Sequence, residues 1–233
     1  MDHQDLTRMK TEYQDRKNRF IGQDAYSIFF KPYQFFVQQR QRAVLTLLKK
    51  GSIPPIQDKN ILEIGCGGGG VLLEYLTFGG QPANMFGIDL LHDRLIEAHQ
   101  KLPAVGITCA DGQHLPFPDN SFNLVMQYTA FSSVLDNNIK NHMASEMLRV
   151  LRIGGAILWY DFWLNPTNPQ TGGIRPEKIR ALFPSCTYIF RKITLAPPIA
   201  RRIVPFSWPL AQFLESFGIF NSHYLVLIRK NPL

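Results

Sequence analysis

Residues 61–70 read ILEIGCGGGG, and VLLEYLTF follows at once. Glycine in regular structure costs roughly 0.5–1 kcal/mol relative to alanine. A run of four therefore marks backbone that must come close to something. A short apolar run before it reads as a buried strand, and the segment after it reads as a helix closed by Gly79-Gly80. A glycine-rich loop between a strand and its helix lets backbone amides approach a nucleotide-like ligand.

The chain repeats this alternation. NMFGIDLL (84–91), VGITCA (105–110), FNLVMQYT (122–129) and AILWYDF (156–162) read as strands, and TYIFRKITL (187–195) and HYLVLIRK (223–230) as two more. Helices are expected from Phe36 to Leu48, after His92-Asp93, at 137–152 before Gly154-Gly155, and at 175–183 with Pro176 in the first turn. Alternating strands and helices specify an α/β fold, a parallel sheet with helices on both faces. Ligands bind such sheets at the carboxyl ends of the strands. Function is therefore expected in the loops 65–70, 89–92, 111–116, 127–133 and 161–174.

Composition narrows the classes. With 45% apolar and 18% charged residues in 233, the chain has the balance of a globular protein with a core. No stretch reaches the ~18 apolar residues of a membrane span. MDHQDLTRMK carries two acids and no apolar core, so it does not read as a secretory signal. Cys66, Cys109 and Cys186 are odd in number and widely spaced, which fits a reduced, cytoplasmic protein and offers no zinc framework. No histidine–carboxylate cluster suggests a metal. The formal charge of +7 is spread over scattered pairs such as Lys49-Lys50 and Arg201-Arg202, without a block of like charge.

The loop from Gly65 to Gly70 satisfies G-x-G-x-x-G, and Asp89 closes the second strand 19 residues after Gly70. Taken alone this suggests NAD. Glu63 argues against a pyrophosphate, because a carboxylate there repels it by ~1 kcal/mol in bulk water and by more where water is excluded. An ammonium suits the position. Asp89 can accept both ribose hydroxyls. Asp111-Gly112 can meet an adenine amino group, and Leu90 can pack on the purine. Each acid can also serve as a local cap or turn residue. One ligand has an ammonium, a ribose diol and an adenine but no phosphate: S-adenosyl-L-methionine.

These residues resemble a class I S-adenosylmethionine-dependent methyltransferase of the type 11-like kind. E-x-G-x-G-x-G is met by Glu63, Gly65, Gly67 and Gly69; GID (87–89), ADGQHLPFPDNSFNLV (110–125) and MLRVLRIGGAILWYDF (147–162) resemble the later motifs. The match covers 60–162. Residues 194–217 and 223–225 are similar to a bacterial subgroup of unassigned substrate. The resemblance implies a Rossmann-like seven-stranded, mostly parallel sheet of order 3-2-1-4-5-7-6, with the last strand antiparallel. It also implies cofactor contacts from Glu63, Gly65, Cys66, Gly67, Asp89, Leu90, Asp111 and Gly112, with Gln127 meeting the methionine portion.

Methyl transfer to a small-molecule oxygen or nitrogen, on a sugar or lipid-linked intermediate, is the expectation. An RNA methyltransferase, motivated by the charge, and an NAD-dependent oxidoreductase are the alternatives. No N/D-P-P-Y/F follows strand four, so methylation of base amines is not expected. A general base is needed only for a nucleophile that arrives protonated. Tyr128, Thr129, Ser132, Asp161 and Asn165 face the acceptor side; Asp161 is the best base by position, with Tyr128 beside it. Residues 1–55 are read as an N-terminal helical cap segment and 56–233 as the methyltransferase domain. Within it, 196–221 is a helical insertion whose basic and aromatic residues suit either packing on the sheet edge or a membrane surface.

Overall fold

The computed structural model describes residues 7–8, 10–12, 15, 26–165, 168 and 170–230. Seven strands form one sheet: β1 (Ile61–Ile64), β2 (Met85–Asp89), β3 (Gly106–Cys109), β4 (Phe122–Tyr128), β5 (Leu151–Phe162), β6 (Cys186–Leu195) and β7 (Asn221–Lys230). Their order is β3-β2-β1-β4-β5-β7-β6, and β7 runs antiparallel to both β5 and β6. The expected topology is therefore the observed one.

Helices cover both faces, so the central strands read as continuous apolar runs rather than alternating ones. On one face α1 (Lys31–Lys50), α2 (Gly70–Thr77) and α3 (His92–Lys101) close over Ile61, Met85, Leu124, Leu158 and Leu225. On the other face α4 (Asn137–Val150) and α5 (Pro176–Leu182) close over Leu62, Ile88, Val125, Trp159 and Val226. Helix α1 is thus a layer of this core, because its Val44, Leu47 and Leu48 lie within it.

Two boundaries differ from the sequence reading. Helix α1 begins at Lys31, since Pro32 in its first turn loses no hydrogen bond there. Helix α4 ends at Val150 rather than at the glycines: Leu151 is extended and pairs with Phe122, so β5 starts five residues early, before a register shift. Tertiary pairing overrides the local helical pattern.

The insertion after β6 folds as two short helices, α6 (Pro197–Ile203) and α7 (Trp208–Ser216). They share a small third core with α1, formed by Phe35, Leu195, Ala200, Val204 and Ala211. The rings of Phe35 and Trp208 meet edge to face at 5.0 Å. No helix among the described residues is long and apolar enough to cross a membrane.

This joint makes a stability prediction. Phe35→Ala is expected to lower the unfolding free energy by about 3–5 kcal/mol. Phe206→Ala, on a 91% exposed side chain, is expected to stay within about 0.5 kcal/mol of wild type. Urea denaturation measures both, and equal losses would mean that α1 and the insertion do not share a core.

Candidate active site

The loop after β1 turns sharply at the carboxyl edge of the sheet. The amides of Gly65 and Cys66 both donate to the carbonyl of Ile88, at 2.8 and 2.9 Å, which folds the loop across the end of β2. Gly65, Gly67 and Gly69 have φ of 74°, 51° and 76°. Side chains avoid that region. A Cβ at Gly65 would also stand 2.8 Å from Cβ of Ala130, and one at Gly67 would stand 2.3 Å from Nη2 of Arg94.

Asp89 holds the loop from the next strand. Its Oδ2 accepts the Gly67 amide at 2.8 Å and its Oδ1 the Leu91 amide at 2.9 Å. The half-buried carboxylate keeps further lone pairs for a ligand's hydroxyls. Asp111 accepts the amide and the side-chain Nε2 of Gln113, at 2.9 and 3.0 Å, beyond β3. Leu90 lies half-buried between these acids. Gly112 packs tightly, since a Cβ there would meet Met143 at 3.2 Å and Ile64 at 3.3 Å.

Glu63 is 2% exposed in the middle of the sheet, paired with Gly87 on one side and Met126 on the other. Its Oε2 finds no hydrogen-bond donor among the described residues. Burial, followed by the nearby Glu74 carboxylate, pushes its pKa well above the usual carboxylate range. An unpartnered buried carboxyl is costly. A cation placed at the head of the glycine loop would offset that cost. Cys66, by contrast, contributes its amide to the loop and its side chain to the core, where burial raises the thiol pKa.

Farther along the same edge, β4 ends in a turn tied to β5. Thr129, with φ of 57°, donates its amide to the Tyr160 carbonyl at 2.8 Å. Gln127 is fully buried, and its Oε1 accepts the Ala130 amide at 3.0 Å. Asp161 is 1% exposed; its Oδ2 accepts the Ser132 amide at 3.0 Å and its Oδ1 the Phe162 amide at 2.8 Å. Burial pushes its pKa up to about 6. Tyr128 is buried on the opposite face, with its hydroxyl 3.1 Å from that of Tyr75. Asn165 lies farther along, bonded to Thr171 at 2.8 Å. His114 is exposed.

The structure adds a polar cluster that the sequence reading did not assemble. Arg40 of α1 pairs with Glu74 of α2 and lies 5.6 and 5.7 Å from the ring centres of Tyr128 and Tyr160. The Tyr160 hydroxyl meets Thr194 Oγ1 at 2.8 Å, and the Tyr160 ring stacks on His223 at 4.6 Å. Burial drives the His223 imidazole down to about 3, so it is neutral across the physiological range. Thr194 has φ of 67°. Two β-branched residues in the left-handed region thus flank Tyr160, and such strain persists only where surrounding contacts over-determine it. A signal for Arg40 was present: it stands four residues before Val44 and seven before Leu47, on the core-facing stripe of α1.

Residues 61–155 match the family model described as a methyltransferase domain. Residues 61–155 are thus similar to a methyltransferase domain, and the sheet shares its fold with S-adenosylmethionine-dependent methyltransferases. S-adenosyl-L-methionine is the cofactor of such a domain, and the residues present fit it through the unpartnered Glu63 oxygen and the glycine cradle.

Over 121 residues the chain is 35% identical to phthiotriol/phenolphthiotriol dimycocerosates methyltransferase 1 of Mycobacterium ulcerans, covering 48% of this chain and 40% of that protein. It is 33% identical over 114 residues to the fatty-acid O-methyltransferase of Mycolicibacterium smegmatis, covering 46% and 38%. The chain thus spans about two fifths of the length of these curated relatives. A SAM-dependent methyltransferase from Archaeoglobus fulgidus shares the fold, with a TM-score of 0.58 at 15% identity over 85% of this chain and 99% of that one. One from Thermotoga maritima does so at 0.62 and 15%, over 91% and 97%. Among the described residues of the methyltransferase domain and its flanks, no group of side chains could hold a metal ion.

Asp89 holds the loop at the carboxyl edge, with lone pairs left over. Asp89→Ala is therefore expected to weaken S-adenosylhomocysteine binding by at least ~100-fold, since hydrogen bonds to charged groups are worth roughly 1.5–3 kcal/mol each. Calorimetric titration reads the change, and an unaltered dissociation constant would exclude Asp89 from the ligand shell.

Proposed function

We propose that this protein transfers a methyl group from S-adenosyl-L-methionine to an oxygen or nitrogen of a lipid-related small molecule. The observation that carries the reading is the unpartnered, buried Glu63 carboxyl at the head of the glycine loop, in line with Asp89 and Asp111. Glu63 would face the ammonium, Asp89 the ribose and Asp111 the adenine, with Gly65, Gly67 and the Cys66 amide forming the cradle. Leu90 and Gly112 would border the purine, and Gln127 would shape the wall at the methionine end. The relatives named for phthiotriol dimycocerosates and for fatty acids support a lipid-related acceptor. So does the aromatic wall of Tyr128, Tyr160 and Phe162 on the rim of β4 and β5.

The cofactor supplies a methyl group already activated by a positive sulfur. The chain's part is alignment at near-attack distance and exclusion of water. Burial holds the Tyr128 phenol protonated, with its pKa above the ordinary value. It can therefore donate a hydrogen bond to an acceptor oxygen. Asp161 is a positioning residue in this reading: its carboxylate fixes the 131–133 turn through the Ser132 amide.

Two experiments test the reading. Labelled S-adenosylmethionine incubated with the protein and a fatty acid or a lipid extract is expected to leave label in the organic phase. Label found only in RNA would overturn the lipid-related acceptor. Asp161→Asn is expected to lower kcat roughly 10-fold or more while leaving cofactor affinity unchanged. The pH profile separates its role from a fold defect. With a folded pKa raised from 3.8 to about 6, wild-type turnover should fall as pH drops through about 6, while the variant stays flat. Over that interval protonation of Asp161 favours the folded state, so unfolding through this group cannot explain the fall. Parallel pH profiles would leave Asp161 outside the reaction.

A further inference from the structure

Helix α7 is apolar on two opposite faces. Trp208, Ala211 and Leu214 turn inward to the third core. Leu210, Phe213 and Phe217 turn outward, 47%, 59% and 55% exposed, and the last two rings touch at 4.8 Å. Phe206 just before the helix and Ile219 just after it are 91% and 69% exposed. A helix that is apolar all round is normally buried, and a contiguous exposed apolar surface marks an interaction site.

Acids are scarce within this segment. Residues 196–221 contain one acid, Glu215, and it is turned inward, accepting the Thr194 amide at 2.8 Å. Arg201 and Arg202 are exposed. The Phe35–Trp208 contact ties α1 to the inward face of this helix; before α1, Ile28 and Phe29 are also exposed, and residues 26–31 contain no acid.

We propose that this face docks on the surface of an anionic lipid bilayer, with the phenylalanines in the headgroup–acyl boundary and the arginines among the phosphates. Exposed aromatics flanked by basic residues are the composition of an interfacial segment. Position gives the docking a purpose. Residues 196–221 join the end of β6 to the start of β7 at the carboxyl edge of the sheet, the edge where the glycine loop and Asp89 lie. A molecule drawn from the bilayer would arrive at that edge without crossing water. The docking stands apart from the acceptor reading, because it is measured with neither cofactor nor acceptor present.

The test is co-sedimentation of the full chain with vesicles of phosphatidylcholine alone and of phosphatidylcholine mixed with phosphatidylglycerol, with light scattering of the free protein. Wild type is expected to pellet with the anionic vesicles only, and less so as salt rises. Phe206→Ser and Phe213→Ser should each weaken binding about tenfold. Arg202→Glu should do so by at least about fivefold. Melting temperature and S-adenosylhomocysteine affinity should be unchanged in all three. Three outcomes would overturn the proposal: no pelleting with anionic vesicles, equal pelleting of wild type and the phenylalanine variants, or a solution dimer that those variants abolish.

Discussion

The short reversal from β1 into α2 rests on two carbonyl and carboxylate acceptors in the neighbouring strand. Ile88 takes the amides of Gly65 and Cys66, and Asp89 takes the amide of Gly67. These bonds hold Gly65 and Gly67 in a conformation that side chains avoid. They also leave the loop lying across the ends of β1 and β2 rather than projecting from them. Without them α2 would lose its entry angle, and Glu63, one residue before the end of β1, would no longer sit at the head of a backbone cradle.

Acids and tyrosines gather at this edge for different reasons. Asp89 and Asp111 are satisfied by local amides and add anionic character at the ends of β2 and β3. Glu63 is not satisfied, and its burial favours the neutral form. Arg40 and Glu74 bridge α1 to α2 above the Tyr128 and Tyr160 rings, so this end of the sheet gathers hydroxyls, a neutral imidazole and aromatic faces.

Much of this was legible in the sequence because local rules and tertiary structure agree there. The glycine loop, the acidic strand ends and the alternating elements each have a physical reason that a single chain displays. The rest depended on distance in sequence. Arg40 and Glu74 are 34 residues apart, and only their helical periods hinted that both face inward. The early start of β5 at Leu151 was hidden by a helical pattern that sheet pairing with Phe122 overrides. Stacking of His223 on Tyr160 needed the antiparallel register of β5 and β7, and composition does not give that. Asp161 was placed correctly at the end of a strand, but its bond to the Ser132 amide emerges only once the β4 turn is folded over it.

In the proposed function Glu63 meets the ammonium of the cofactor. Calorimetric titration with S-adenosylhomocysteine across pH, in buffers of differing ionisation enthalpy, tests it most directly. A carboxyl held neutral by burial and ionised beside an ammonium must release a proton on binding. Wild-type affinity should therefore rise with pH above the ordinary carboxylate value of 4.5, and the proton release should vanish in Glu63→Gln. PH-independent binding by the wild type, or identical behaviour of the variant, would contradict the account.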